Sequence, residues 1–280
     1  MKNKNIVVLY HANCPDGFGA AYSAWKKFDD NAIYTPAFHG EPVPEGLDDK
    51  EVYMVDFSYP KDILLDIQQH VSRLVILDHH IGAKESVESV REHVFDNDRS
   101  GAGIAWKYFH PEIPLPRLLA YIQDNDIWKH ELPNYKEVGA FLSTTPLRDF
   151  KLFDALVERM QDDAEFKKIV EKGAAYAEYL EYLYETFINQ AQEVEFDGHR
   201  VLAVNAPRLI RSELGHRLAK TRAPFSIVWY FDHDTWHLSL RGDGTIDLAA
   251  LAQKYGGNGH YNASGIRVPF GERLPFTLIK

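Results

Sequence analysis

Apolar positions in the first eighty residues fall into three short blocks, residues 6–10, 52–57 and 74–77. Each is continuous rather than alternating and rich in β-branched side chains. Continuous blocks of this length are what strands buried on both faces of a parallel sheet require. Between them the apolar spacing changes to three and four. Residues 17–28 set glycine, alanine and aromatics at helical steps, and residues 61–70 place Ile63, Leu64 and Ile67 on one face. Strand, helix, strand, helix, strand predicts a doubly wound α/β sheet.

The middle of the chain reads as helical. Residues 101–109 and 115–122 predict short helices. From about residue 149 to 194 there is no proline, and Phe166, Ile169, Ala177, Leu180, Tyr184, Phe187 and Ala191 recur at steps of three and four with one longer gap. These helices are expected to link two domains. Their apolar faces could support a homodimer, although clean heptads are missing. Strand patterns return at 200–205, 225–231 and 235–240, the last two flanking the turn Asp232-His233-Asp234. A helix over 247–254 and a strand over 265–268 complete a smaller α/β domain. The expected division is 1–148, a linker 149–195, and 196–280.

Composition narrows the setting. The 280 residues carry a formal net charge of −10 and one cysteine, Cys14. A single cysteine excludes an internal disulfide and suits a reducing compartment, so a soluble cytoplasmic protein is expected. No apolar stretch approaches the roughly 18 residues of a membrane span, and the apolar run after residue 5 is too short for a secretory signal. Long nucleic acid is bound through many Lys and Arg contacts to phosphate. No basic run exists here, so a small anionic substrate is the better expectation.

The candidate chemistry lies where the apolar blocks stop. The first leads into His11-Ala12-Asn13-Cys14-Pro15-Asp16-Gly17, the second carries Asp56, and the third leads into Asp78-His79-His80. Open parallel sheets bind ligands outside the carboxyl ends of their strands. Three neighbouring strands would therefore gather these groups at one edge, and Asp124-Asn125-Asp126 could reach it from a following helix. Taken singly, each group has a plainer reading as a turn, cap or surface residue. Together at successive strand ends they predict a metal site. Mixed imidazole and carboxylate donors suit Mn²⁺, Fe²⁺, Co²⁺ or Zn²⁺, in number enough for two ions about 3.5–4 Å apart sharing a carboxylate.

These residues resemble the DHH phosphoesterase superfamily. Asp78-His79-His80 matches its name motif, Asp56 its second motif, and residues 11–17 its first. Gly256-Gly257-Asn258-Gly259-His260-Tyr261-Asn262-Ala263-Ser264-Gly265 resembles the GGGHxxAAG signature of the companion DHHA1 domain. The resemblance spans nearly the whole chain in the expected order. It implies an N-terminal DHH domain, a helical linker and a C-terminal DHHA1 domain. It also implies His11, Asp16, Asp56, His79 and Asp124 as ligands of two Mn²⁺ ions, with Asp126 as a substitute for Asp124. Asp56 would bridge the ions, Asp78 would orient His79, and His80 would sit near the phosphate. The chain departs from the first motif: Cys14 stands where its first acidic residue would align. Either Asn13, Cys14 or water completes that site, or one ion binds weakly; a thiolate would favour a softer metal, and simple packing is an equal reading of Cys14.

In the second domain the glycines could bring backbone N–H groups to one anion, with His260 beside them. Arg241 ends a strand just before, and its guanidinium fork matches a phosphate. Arg241, Gly257, Asn258, Gly259 and His260 are the expected substrate contacts. Arg99 and Ser100, opening a small-residue helix start, are further candidates. Trp128, Tyr255 and Tyr261 could stack on bases. The opening HxNCPDGFG most resembles the oligoribonuclease, nanoRNase B-like branch. That branch acts on very short RNAs and on linear dinucleotides such as pGpG, which implies a short-oligonucleotide phosphodiesterase. Alternatives are a cyclic nucleotide phosphodiesterase and a degenerate nucleotide-binding sensor. A processive exonuclease and an inorganic pyrophosphatase fit less well.

Overall fold

The computed structural model describes residues 4–146 and 149–279. The chain divides into two compact units, Met1–Tyr176 and Ala177–Lys280.

The first unit runs β1 (Ile6–His11), α1 (Pro15–Phe28), β2 (Ala32–Ala37), β3 (Glu51–Val55), α2 (Lys61–His70), β4 (Arg73–Asp78), α3 (Lys84–Glu88) and β5 (Glu92–Phe95). Helices α4 (Gly101–Phe109), α5 (Arg117–Asp126), α6 (Tyr135–Ser143), α7 (Phe150–Gln161) and the start of α8 (Asp163–Asn189) follow. The five strands form one parallel sheet in the order β2-β1-β3-β4-β5. Successive side chains on a strand face opposite sides, and the unit uses both. Val7, Leu9, Met54 and Ile76 pack with Leu64 and Ile67 of α2 and Val87 of α3. Val8, Val55, Val75 and Leu77 pack with Ala20 and Ala24 of α1 and Ile104 and Ala105 of α4. This is the doubly wound sheet that the three apolar blocks predict. Strand order reverses between β1 and β3, the switch point at which such sheets open a crevice.

Beyond the sheet, α1, α4, α5, α6, α7 and the first part of α8 enclose a core around Tyr22, Leu118, Leu119, Phe153 and Met160. The stretch 149–195, expected as a linker, is therefore divided. Helix α7 and residues such as Ile169 belong to the first unit's core, while Leu180, Tyr184 and Phe187 of α8 pack within the second. The expected boundary residue 148, like residue 147, lies outside the described residues.

The second unit adds β6 (Gln192–Phe196), β7 (His199–Asn205), α9 (Arg211–Thr221), β8 (Phe225–Asp232), β9 (Thr235–Gly242), α10 (Leu248–Gln253), β10 (Asn258–His260), β11 (Ala263–Pro269) and β12 (Thr277–Leu278). Its sheet has the order β10-β11-β9-β8-β7-β6-β12, with only the β7–β8 pair parallel. Phe225, Ile227, Leu238 and Leu240 face α10. Val204 and Val228 face Leu214 and Leu218 of α9. Among the described residues no helix is long and apolar enough to cross a membrane.

Candidate metal centre and anion site

The switch point gathers the strand-end residues as the sequence expects. His11 closes β1, Asp56 follows β3, and Asp78 closes β4. Asp56 takes a left-handed backbone, φ 55°, an uncommon conformation that aspartate tolerates better than most residues. Its side chain is 1% exposed and lies between two imidazoles. Oδ2 is 3.3 Å from His11 Nδ1 and Oδ1 is 3.2 Å from His79 Nε2. His79 Nε2 also lies 3.5 Å from Asp126 Oδ2 and 3.8 Å from Asp16 Oδ2.

Whether these groups fit metal ions is answered by what they lack. Asp56 Oδ1, Asp56 Oδ2 and His11 Nδ1 are buried without a well-formed hydrogen bond. Buried polar atoms are nearly always paired, so three orphans at one point mark a place for a cation. Three sets of donors have their ligand atoms within 4.8 Å of one another: His11–Cys14–Asp56, Asp56–His79–His80 and Asp16–His79–Asp126. The residues present fit divalent ions on either side of Asp56.

Electrostatics agree. Burial by itself would raise the Asp56 carboxyl, but His11 and His79 outweigh it and hold the group below the usual carboxylate range. Burial and the charge of Asp56 push Asp126 up to about 6, and the same causes raise Asp16 well above its ordinary value. Burial lowers the His79 and His80 imidazoles, yet Asp56 and Asp78 respectively more than reverse this and leave both raised. The cluster has more negative charge than its own histidines can balance.

Four expectations change in the structure. Asp124 does not join the cluster. Its Oδ1 accepts the Glu131 N–H at 2.9 Å and its Oδ2 the Leu132 N–H at 3.4 Å, so it organises the following loop. The expected helix of 115–122 runs on to Asp126, and residues two apart on a helix point about 200° apart around it. Only one of the two aspartates can face His79, and it is Asp126.

Asp78 holds His80 rather than the ring of His79. Its Oδ1 lies 2.6 Å from His80 Nδ1 and accepts the His79 backbone N–H at 2.8 Å. Ser100 caps α4 by accepting the Gly103 N–H, and the helix's first N–H groups are already taken. Gly101 and Ala102 donate to Asp16 at 2.6 and 3.0 Å. Asp16 supplies the negative charge that this helix start attracts, and Arg99 pairs with Asp96. Neither Arg99 nor Ser100 is placed to take a phosphate on those N–H groups.

The glycine motif also differs in how it is used. The Gly257 N–H donates to Ala252 O and the Gly259 N–H to Asn258 Oδ1. A Cβ at Gly257 would lie 2.3 Å from Gly265 O, and one at Gly259 2.4 Å from Ser264 Cα. The glycines let β10 lie close on β11, leaving Asn258 and His260 exposed.

Arg241 is a half-buried polar centre of the second unit. It donates to Ser239 Oγ at 2.9 Å, Leu240 O at 2.8 Å and Ser212 Oγ at 2.8 Å. Among the described residues no carboxylate pairs with it. Burial and the like charge of Arg211 pull its guanidinium down to about 10, and burial first of all lowers Arg211 too. At Gly215 a Cβ would meet Arg241 Cγ at 2.8 Å, so the glycine makes room for this side chain under α9. Two guanidiniums held with hydroxyls, with no carboxylate paired to either among the described residues, make a candidate anion site.

No protein-family model matches the sequence. The uncharacterised protein R106 of Acanthamoeba polyphaga mimivirus is 33% identical over 291 aligned positions, covering 95% of this chain and 68% of that one. Among solved structures, the DHH domain of a member of a ribosomal-protein family superposes with a TM-score of 0.61 at 15% identity, over 95% of this chain and 83% of that one. An exopolyphosphatase-related protein from Bacteroides fragilis gives 0.53 at 15% identity, over 96% and 87%. The chain belongs to the same family as R106. Its fold is that of the DHH domain.

Two groups in this protein are not evident from the sequence. His39 follows β2, with its ring 5.2 Å from His11 and 4.8 Å from Phe57. Although solvent reaches it, desolvation and the neighbouring His11 and His80 push it down to about 4. Pro36 hides β2 as a strand. Had β2 been recognised, the strand-end rule would have flagged His39. Arg211 and Ser212 open α9 just after β7, at the carboxyl edge of the one parallel pair in the second sheet, where the same rule applies.

Proposed function

We propose that this protein is a divalent-metal phosphodiesterase hydrolysing very short oligonucleotides or linear dinucleotides, pGpG among them, to mononucleotides. The observation that carries the reading is Asp56, buried between His11 and His79 with neither carboxylate oxygen hydrogen-bonded. His11, Asp16, Asp56, His79 and Asp126 would hold two ions, Mn²⁺ being the expected metal. Bound there, the ions supply Lewis-acid polarisation of a phosphoryl group and a more acidic water.

The chain's own groups do the rest. Asp78 fixes the His80 ring and favours its protonated form, which puts a positive donor beside the charge that develops on phosphorus or the leaving oxygen. Asp16 ties the cluster to the start of α4 and limits its movement. In the second unit Arg241, Arg211, Ser212 and Ser239 would take a terminal phosphate. An open cavity of ≈ 670 Å³ in that unit, lined by Trp229, Tyr230, Phe231 and Trp236, offers rings on which a base can stack. The net charge of −10 favours so small a ligand over a long strand.

The test compares dinucleotides with longer labelled RNAs, cyclic di-GMP and pyrophosphate, in Mn²⁺, using wild type, Asp56→Ala and His79→Ala. Fastest loss of linear dinucleotides, abolished in both variants, is the expected result. Cleavage of cyclic substrates alone would move the assignment to a cyclic nucleotide phosphodiesterase. Nucleotide binding without cleavage in any divalent metal would make the protein a sensor.

A further inference from the structure

The donors on the two sides of Asp56 are not alike. On one side are His79, His80, Asp16 and Asp126, a set of imidazole and carboxylate. On the other, Asp56 Oδ2 meets His11 Nδ1, and the next donor is the half-buried thiol of Cys14. Asp16, the nearest carboxylate in sequence, gives both its oxygens to the N–H groups of Gly101 and Ala102. The Sγ of Cys14, His11 Nδ1 and Asp56 Oδ2 or Oδ1 lie within 4.8 Å of one another. Two ligands that share one tetrahedral ion sit roughly 3.3–3.8 Å apart, because each bond is about 2.0–2.3 Å long, so small side-chain adjustments bring these three donors onto one ion. His11 Nδ1 and both Asp56 oxygens are buried and without a hydrogen bond, so the cysteine is part of a built pocket of donors.

We infer that His11, Cys14 and Asp56 form a site for a thiophilic divalent cation, Zn²⁺, Co²⁺ or Fe²⁺, and that Cys14 is a ligand setting its metal preference. This rests on the reading of the cluster as a metal centre. Thiolate selects softer ions, whereas the His79–Asp126 side, with oxygen and nitrogen donors only, accepts Mn²⁺. The centre is thus asymmetric, one ion held through sulfur and the other through oxygen and nitrogen, with Asp56 offering an oxygen to each.

The experiment titrates the metal-free full-length protein with Co²⁺ and reads the near-ultraviolet thiolate-to-cobalt charge-transfer band. Wild type and Asp126→Asn are expected to show the band and Cys14→Ser to lose it. In competition dialysis against Zn²⁺ and Mn²⁺, Cys14→Asp is expected to shift retention at least about tenfold toward Mn²⁺. Alkylation of the wild-type thiol, which needs no variant to fold, is expected to slow at least about tenfold with Co²⁺ but not with Mn²⁺. No band in wild type, a band that survives Cys14→Ser, or alkylation equally fast with and without Co²⁺ would overturn the assignment. Hydrolysis is scored separately. Dinucleotide cleavage without a band removes the cysteine ligand and keeps the phosphodiesterase reading; a band without cleavage of any substrate does the reverse.

Discussion

The two units of this protein each contain a wholly or partly buried charge that the chain does not balance, and the signs are opposite. In the first, Asp16, Asp56 and Asp126 crowd around imidazoles, and two of the three carboxyls are pushed upward by burial and then by the negative charge of Asp56. In the second, Arg241 is pushed downward by burial and by the like charge of Arg211, and Arg211 by burial and by Arg208, with hydroxyls and a carbonyl as Arg241's partners. Uncompensated buried charge costs stability. It persists where a partner of opposite sign arrives from outside. The donors of one unit suit a cation and those of the other an anion, and the proposed phosphodiesterase would need both.

Removing the shared carboxylate should break the contrast most severely. Asp56→Ala is expected to lower kcat/KM for dinucleotides by at least about a thousandfold and to abolish Co²⁺ binding, read by steady-state kinetics and isothermal titration calorimetry. The matching change in the second unit, Arg241→Met, should raise KM roughly 10- to 100-fold with a smaller effect on kcat. It should leave the melting temperature of the ligand-free protein unchanged or higher, because a half-buried cation without a carboxylate partner has been removed. A clear drop in melting temperature would make Arg241 a structural residue and end the comparison.

A finer division lies within α5. Asp126→Asn should weaken metal binding by about tenfold at nearly constant stability. Asp124→Asn should keep metal affinity and cost about 1 kcal/mol of folding stability in urea melts, through the loop N–H groups it holds. The smallest expected effect is in pH. Metal ligands must be deprotonated, and Asp126 titrates at about 6 with the His79 and His80 imidazoles raised. Protons then compete, so metal affinity should fall as pH drops through about 6. Phosphate binding to the Arg241 site should respond only to the charge of the phosphate, since that guanidinium loses its proton near 10.

What the sequence made legible follows from how strongly each feature is written in side-chain pattern. Strands β1, β3 and β4 lie in the middle of the sheet, covered on both faces, and their apolar runs show it. Edge strands β2 and β5 are partly exposed, and Pro36 and the charged start of the short β5 conceal them. Helices α2 and α4 begin and end where the spacing says. The end of α5 does not, because Asp124, Asn125 and Asp126 look like a loop, and that misplaced the choice between two aspartates. The role of Asp16 at the start of α4 depends on a contact across 85 positions, which no local pattern records. Gly257 and Gly259 were visible as glycines, but the strand they accommodate was not. Arg211 was hidden because its helix, α9, has few apolar residues outside Leu214 and Leu218.

Gly101 sets a limit on how this sequence can drift. A methyl group there would stand 2.4 Å from Asp56 Cβ, and the same residue's N–H is bonded to Asp16. No rotamer change relieves a collision with a Cβ, so even alanine must displace the strand end or the helix. In a saturation library selected for function, position 101 should stand out as an empty column while its neighbour Ala102 admits some substitutions. The carboxylates of the strand-end cluster are thereby protected from a distance in sequence by a residue with no side chain at all.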